Sequence, residues 1–218
     1  MLLQLALDDP AGFSVLPLVR DLVDIVEVGT PLLKRFGTSA ITAVRETAPG
    51  VAVLADTKTV DAGALEAEMV FGAGARFMTV LSCASAATMT AVAQVAERRG
   101  CHIVVDTLTE RSIAGVLAHE YPAAVAYLSL HSPTDVRLAG DDSTDTVIGM
   151  AAEARRAGWR ISLAGGIDRS SLPGAVAAGP DVIVVGGAIT SASDPRGTTE
   201  WMRHQLKEAG HGWPSAMS

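Results

Sequence analysis

Eight short aliphatic runs recur along this 218-residue chain, each followed by a longer amphipathic segment. The runs are Leu2–Leu7, Asp24–Val28, Val51–Ala55, Arg76–Leu81, His102–Val105, Val125–Leu130, Arg160–Ala164 and Asp181–Val185. Each has the length of a buried strand and is too short for a helix. The segments between them carry helical spacing: Leu65 and Met69, then Met89, Val92 and Ala96, then Val147, Ala151 and Ala154. Gly74, Gly100, Gly158 and Gly179 mark helix ends, and Arg98–Arg99 and Arg155–Arg156 complement the C-terminal dipoles of two of them.

Strand–helix alternation implies a parallel sheet, and eight repeats imply closure. The expected fold is therefore α/β: a single-domain (β/α)8 barrel over residues 1–210, with a loose tail at 211–218. An open doubly wound sheet is the alternative. It would carry a glycine-rich loop after the first strand, where this chain has Asp8-Asp9-Pro10. Apolar residues make up 49% and aromatics only 4%, so the core must be built from Ala, Val, Leu and Ile. That mix suits strands buried on both faces.

A net charge of −7 with no basic cluster argues against a nucleic-acid surface. An acidic chain still binds phosphorylated metabolites, since backbone amides and a metal supply local positive potential. No apolar stretch suffices for a signal peptide or a membrane span, so the expected location is the cytoplasm. Cys83 and Cys101 match no metal or redox spacing, and the strand assignment puts them at opposite ends of neighbouring strands.

The active site of such a barrel lies at the C-terminal strand ends. Asp8, Asp56, Lys58, Asp106 and His131 all fall there, Glu27 lies within the second strand, and Gly165-Gly166 and Gly186-Gly187 follow the last two. Taken singly, each has a bland reading. Asp8 and Asp61 suit helix caps, Asp106 a turn, and a lone histidine is more often structural than catalytic. Ser82 and Cys83 read as packing or weak pocket lining. Glu27 is harder to dismiss, because an ionised carboxylate in an aliphatic strand is costly unless paired or metal-bound.

In the run Asp56-Thr57-Lys58-Thr59-Val60-Asp61, side-chain alternation turns Asp56 and Lys58 to one side. A lysine between two carboxylates, Asp56 and Asp61, stays protonated and can donate to oxygen or carbon as charge develops. Glu27 and Asp56 on adjacent strands suit Mg²⁺, with waters and substrate oxygens completing its shell. The glycine pairs suit a phosphate group held by backbone amides.

The segment Leu54-Ala55-Asp56-Thr57-Lys58-Thr59-Val60-Asp61-Ala62-Gly63 resembles the D-x-K-x-x-D signature of the orotidine 5′-monophosphate decarboxylase superfamily. Gln4-Leu5-Ala6-Leu7-Asp8, Val26-Glu27-Val28-Gly29-Thr30-Pro31, Ala164-Gly165-Gly166-Ile167 and Val185-Gly186-Gly187-Ala188-Ile189 are similar to its 3-hexulose-6-phosphate synthase branch. The similarity extends from Met1 to the last helix. It implies a Mg²⁺-dependent homodimer that forms an enediolate from a sugar phosphate. It further implies Glu27 and Asp56 at the metal, with Lys58 and Asp61 around the enediolate. Asp61 would reach into the partner's site. Asp8, Asp106 and Ala164 would contact the sugar, His131 would transfer a proton, and Gly165, Gly166, Gly186 and Gly187 would hold phosphate.

The sister 3-keto-L-gulonate-6-phosphate decarboxylases tend to carry Glu, Arg, Thr and Arg where this chain has Asp106, Thr134, Ala164 and Gly187. The smaller set is closer to the synthases, which must leave room for formaldehyde. The resemblance therefore implies an aldol-type lyase, with keto-acid decarboxylation as the runner-up. Orotidylate decarboxylation does not use the metal site that Glu27 implies, and the paired metal-binding histidines of ribulose-phosphate epimerases are absent. A non-catalytic sugar-phosphate sensor is the reading from a different class. The chain departs from the synthase pattern in His131-Ser132-Pro133-Thr134-Asp135-Val136-Arg137, and after the fourth strand, where Ala84-Ser85-Ala86 lacks acidic residues.

Overall fold

The computed structural model describes residues 1–110, 112–140 and 144–209; the segment expected to be a loose tail lies outside them. Eight parallel strands close into a barrel in sequence order: β1 (Leu2–Leu7), β2 (Ile25–Val28), β3 (Ala52–Thr59), β4 (Phe77–Leu81), β5 (His102–Asp106), β6 (Val125–His131), β7 (Ile161–Ala164) and β8 (Val182–Val185). All eight aliphatic runs are strands, and the expected barrel is the observed one. The helices are α1 (Gly12–Val19), α2 (Thr30–Phe36), α3 (Ser39–Thr47), α4 (Gly63–Gly72), α5 (Ala86–Arg99), α6 (Ile113–Leu117), α7 (Thr134–Leu138), α8 (Thr144–Arg156), α9 (Leu172–Ala177), α10 (Gly187–Thr190) and α11 (Pro195–Glu208).

Closure joins β1 to β8, with Leu2 opposite Val182 and Leu5 opposite Val185. Two aspartates at the N-terminal ends of strands extend the pairing there. Asp24 accepts from the Leu3 amide and Asp181 from the Ile161 amide, each at 2.8 Å. Arg203 of α11 grips the Asp24 carboxylate, which ties the last helix to the barrel floor.

Strand alternation divides the apolar residues into two cores. Outward-facing residues such as Leu3, Leu5, Val26, Val53 and Met78 pack against the helices in a large cluster. Inward-facing Ile25, Leu54, Phe77, Val104, Tyr127 and Val182 form a smaller plug that closes the lower barrel. Above that plug the inward positions become polar, and this change of chemistry places the site.

β3 runs four residues beyond its aliphatic stretch. Its pairing with β4 shifts between Ala55 and Thr59, and Lys58 adopts a positive φ of 47°. Such a conformation is unfavourable for a side-chain-bearing residue and persists where its surroundings hold it. Here the Lys58 amide donates to Thr79 Oγ1 at 2.9 Å, and Thr57 Oγ1 donates to the Thr79 carbonyl at 2.7 Å. The four expected helix-ending glycines all have positive φ. Cys83 and Cys101 are both free thiols.

Candidate active site

A cavity of about 830 Å³ opens at the C-terminal end of the barrel. Asp8, Glu27, Asp56, Lys58, Asp106, His131 and Ala164 line it, together with both glycine pairs. All of these are expected from the sequence, and the fold brings them into one chamber. Asp61 is the exception. It is exposed, lies outside the cavity of its own chain and has no bonding partner among the described residues. Ser82 and Cys83 do not line the cavity either; Ser82 donates to Glu110 at 2.9 Å.

Lys58 is the electrostatic centre. Its ammonium lies 2.8 Å from Asp56 Oδ2 and 3.0 Å from Asp106 Oδ2. The expected second carboxylate beside it was Asp61; the structure corrects this to Asp106. The reason is tertiary, since β5 brings its terminal carboxylate inward while the chain carries Asp61 outward past the rim. Burial alone would favour the neutral amine, but Asp56 and Asp106 outweigh it and raise the lysine above its ordinary value.

Asp106 is buried, and its other oxygen accepts from the Leu108 amide at 2.9 Å. Burial opposes its ionisation, yet His131 and Lys58 prevail and lower its pKa. His131 Nδ1 stands 3.5 Å from Asp106 Oδ2. This orients the imidazole so that its other nitrogen is available to a substrate. Asp106 thus engages two cationic or polar partners as well as a backbone amide.

Glu27 accepts from Gln4 Nε2 at 2.7 Å. Burial of the carboxyl, then the charge of Asp56, pushes it up to about 8. Asp8 is open at the cavity mouth, but partial burial of its carboxylate and the same Asp56 charge raise it too. The bland reading of Asp8 as a cap does not describe it, because Asp9 accepts from the Ala11 amide at 2.7 Å instead. Three carboxylates therefore face one chamber with incomplete cationic compensation. They are the groups able to hold a hard cation. Among the described residues, no group of three or more His, Cys, Asp or Glu is gathered closely enough to hold a metal alone.

A layer of supporting side chains lies outside the residues expected from the sequence. Thr79 Oγ1 donates to Asp56 Oδ1 at 2.8 Å, and Thr30 Oγ1 donates to Asp56 Oδ2 at 2.8 Å. Gln4, Ser129 and Ser162 complete the polar layer above the apolar plug. The available signal was polar residues at inward positions of otherwise aliphatic strands.

The glycine pairs differ in what they enforce. Gly165 has φ +106°, and a Cβ there would lie 2.5 Å from the Ser132 carbonyl oxygen. Gly166 has φ +68°, with Arg137 Nη1 2.5 Å from the corresponding point. A Cβ on Gly186 would sit 3.6 Å from Asp8 Oδ2, and one on Gly187 would meet nothing within 4 Å. Arg137 was not among the expected site residues, although it lines the same cavity.

Comparison with known proteins agrees with this geometry. Residues 1–201 match the model of the orotidine 5′-phosphate decarboxylase / HUMPS family. The 3-hexulose-6-phosphate synthase of Mycobacterium gastri is 34% identical over 206 residues, covering 93% of this chain and 98% of that protein. A crystal structure of 3-hexulose-6-phosphate synthase from Salmonella typhimurium superposes with a TM-score of 0.88 at 37% identity, covering 96% of this chain and 100% of that one. A crystal structure of KGPDC from Streptococcus mutans gives a TM-score of 0.87 at 25% identity, covering 96% and 99%. The chain belongs to the orotidine 5′-phosphate decarboxylase / HUMPS family of enzymes, on the side of its 3-hexulose-6-phosphate synthases.

Proposed function

We propose that the chain condenses ribulose 5-phosphate with formaldehyde to give arabino-3-hexulose 6-phosphate, through an enediolate and with Mg²⁺ bound by Glu27 and Asp56. The observation that carries this reading is the cavity wall. Asp106, Thr134, Ala164 and Gly187 all line the one chamber, and these are the positions where the sister decarboxylases tend to be larger or cationic. The space they leave suits a second, small electrophile beside the sugar phosphate.

His131, held by Asp106, takes a proton from the hydroxymethyl carbon beside the ketone. Lys58 donates a hydrogen bond where negative charge develops on oxygen, and its two carboxylate neighbours keep it protonated for that role. The new carbanion attacks formaldehyde, one carbon–carbon bond forms, and the aldehyde oxygen takes up a proton. Bound Mg²⁺ would supply Lewis-acid stabilisation of the developing oxyanion. Asp8, at the mouth, would accept from a sugar hydroxyl, and the amides of the glycine loops would hold the phosphate.

We further propose that the working unit is a homodimer in which Asp61 serves the neighbouring site. Support comes from the surface around Asp61, where Val60, Leu65 and Met69 are 51%, 66% and 55% exposed. Three large apolar side chains exposed within ten residues of sequence suit burial against a second copy.

Incubation with ribulose 5-phosphate, formaldehyde and Mg²⁺ should consume both substrates, and EDTA should stop turnover. Mg²⁺ should raise the melting temperature of the wild type but not of Glu27→Gln. Lys58→Ala with full activity would contradict the enediolate route. Decarboxylation of a 3-keto sugar-acid phosphate is the second reading. It is favoured by Arg137, which returns an arginine to the wall that Thr134 leaves uncharged. Turnover of that acid alone would replace the synthase reading.

A further inference from the structure

Arg137 sits on α7, within the segment that departs from the synthase pattern, and lines the cavity beside the loop after β7. Its guanidinium lies against Gly166, with Nη1 2.5 Å and Cζ 3.0 Å from where a Cβ would be. Only a glycine leaves space for it. Nη2 donates to Thr134 Oγ1 at 3.3 Å. Nε is buried without a hydrogen-bond partner among the described residues. No carboxylate pairs with Arg137 among the described residues; Lys58, by contrast, is held by two.

This arrangement is costly as it stands. A buried guanidinium nitrogen without an acceptor forfeits its hydration with nothing in return. The acidic groups nearby do not relieve it. The Asp168 carboxylate is turned into its own loop, accepting from Ser170 and from the Ser171 amide. An anion in the cavity would supply acceptors to this guanidinium, and Arg137 stands over one of the two glycine loops that suit a phosphate.

We propose that Arg137 is a substrate-binding residue that completes the phosphate site, clamping the phosphate monoester from the β6 side while the amides of the glycine loops hold it from the β7–β8 side. The inference rests on the sugar-phosphate reading of the cavity. A phosphate offers three equivalent oxygens to the planar fork, so two donors of one guanidinium engage it at once. The clamp grips a part of the substrate remote from the reacting carbons. Its contribution is equal in ground and transition states, so it acts on KM rather than on kcat.

The test uses Arg137→Gln and Arg137→Lys in the full chain, with circular dichroism to establish that each is folded. Inorganic phosphate is the probe, followed by calorimetric titration, with gluconate as a carboxylate control. Arg137→Gln should weaken phosphate binding about tenfold or more, Arg137→Lys should restore part of it, and gluconate binding should not change. With ribulose 5-phosphate and formaldehyde, KM should rise by a similar factor while kcat stays within about threefold. Phosphate binding equal to wild type in a folded Arg137→Gln would overturn the proposal. So would a selective loss of gluconate, or a fall in kcat at unchanged KM. The titration needs no turnover. If the wild type binds phosphate and the variant does not, the clamp stands even where the condensation assay fails.

Discussion

The Lys58 ammonium lies 3.0 Å from Oδ2 of Asp106, a carboxylate 48 residues further along the chain and only 2% exposed. His131 faces the same oxygen at 3.5 Å. Asp106→Ala therefore removes the anion that two neighbours share. Truncating one member of a buried ion pair costs about 3 kcal/mol or more, because the remaining charge loses its partner. Chemical denaturation should show a loss of that size, and a smaller one for Asp106→Asn, which keeps the shape and one acceptor. Both variants should lose kcat as His131 loses its orientation. Wild-type stability in Asp106→Ala would show that the pair contributes nothing to the fold.

The glycine loops should separate stability from binding. Gly165→Ala forces a methyl group toward the Ser132 carbonyl oxygen in a backbone conformation that alanine resists. Differential scanning calorimetry should record a destabilisation of about 2 kcal/mol or more. Gly187→Ala meets open space, so its melting temperature should match wild type while its KM for the sugar phosphate rises. A Gly187→Ala enzyme with unchanged KM would remove this residue from the phosphate site.

Asp61 permits a test of subunit sharing. Asp61→Ala and Lys58→Ala should each be inactive as homodimers. Mixed and allowed to exchange, half the molecules become heterodimers with one intact site of two, and activity returns to about a quarter of wild type. Exchange is verified separately by native mass spectrometry. Verified exchange without recovery would place both residues in one subunit's site.

Acid should loosen one surface tie. Hydrogen bonding from Arg196 holds the Asp21 carboxyl down at about 2, below its ordinary 3.8. A depressed folded-state pKa contributes stability above the unfolded value and loses it as pH falls through the folded one. The contribution is therefore complete above about pH 4 and fades between about 4 and 2. Asp21→Asn should flatten part of that acid dependence in thermal melts and leave behaviour at pH 7 nearly unchanged, since the pair is exposed.

The barrel was legible because buried parallel strands leave a direct trace in aliphatic runs such as Val182–Val185. The length of β3 was not, because Asp56-Thr57-Lys58-Thr59 is polar and its extension depends on Thr79 of the neighbouring strand. Glu27, Asp56 and Lys58 could be placed in one site from strand position alone. The Asp106 contact to Lys58 could not, since it depends on how far each strand is sheared against the next. Arg137 escaped notice because an arginine in a polar loop looks solvated. Only its fold against Gly166 reveals a buried nitrogen without an acceptor among the described residues.

Pairing of β1 with β8 has a consequence for synthesis on the ribosome. The carboxylates of the first three strands emerge early, while Gly186 and Gly187 follow the last strand. Until β8 arrives, β1 and β7 each present an unpaired edge, and the acidic cluster stands without the second glycine pair. Asp8 and Gly186 become neighbours only when the ring shuts. Co-translational intermediates of this chain would thus be vulnerable to edge-to-edge association yet unable to bind substrate, and the pocket would come into being in a single late event.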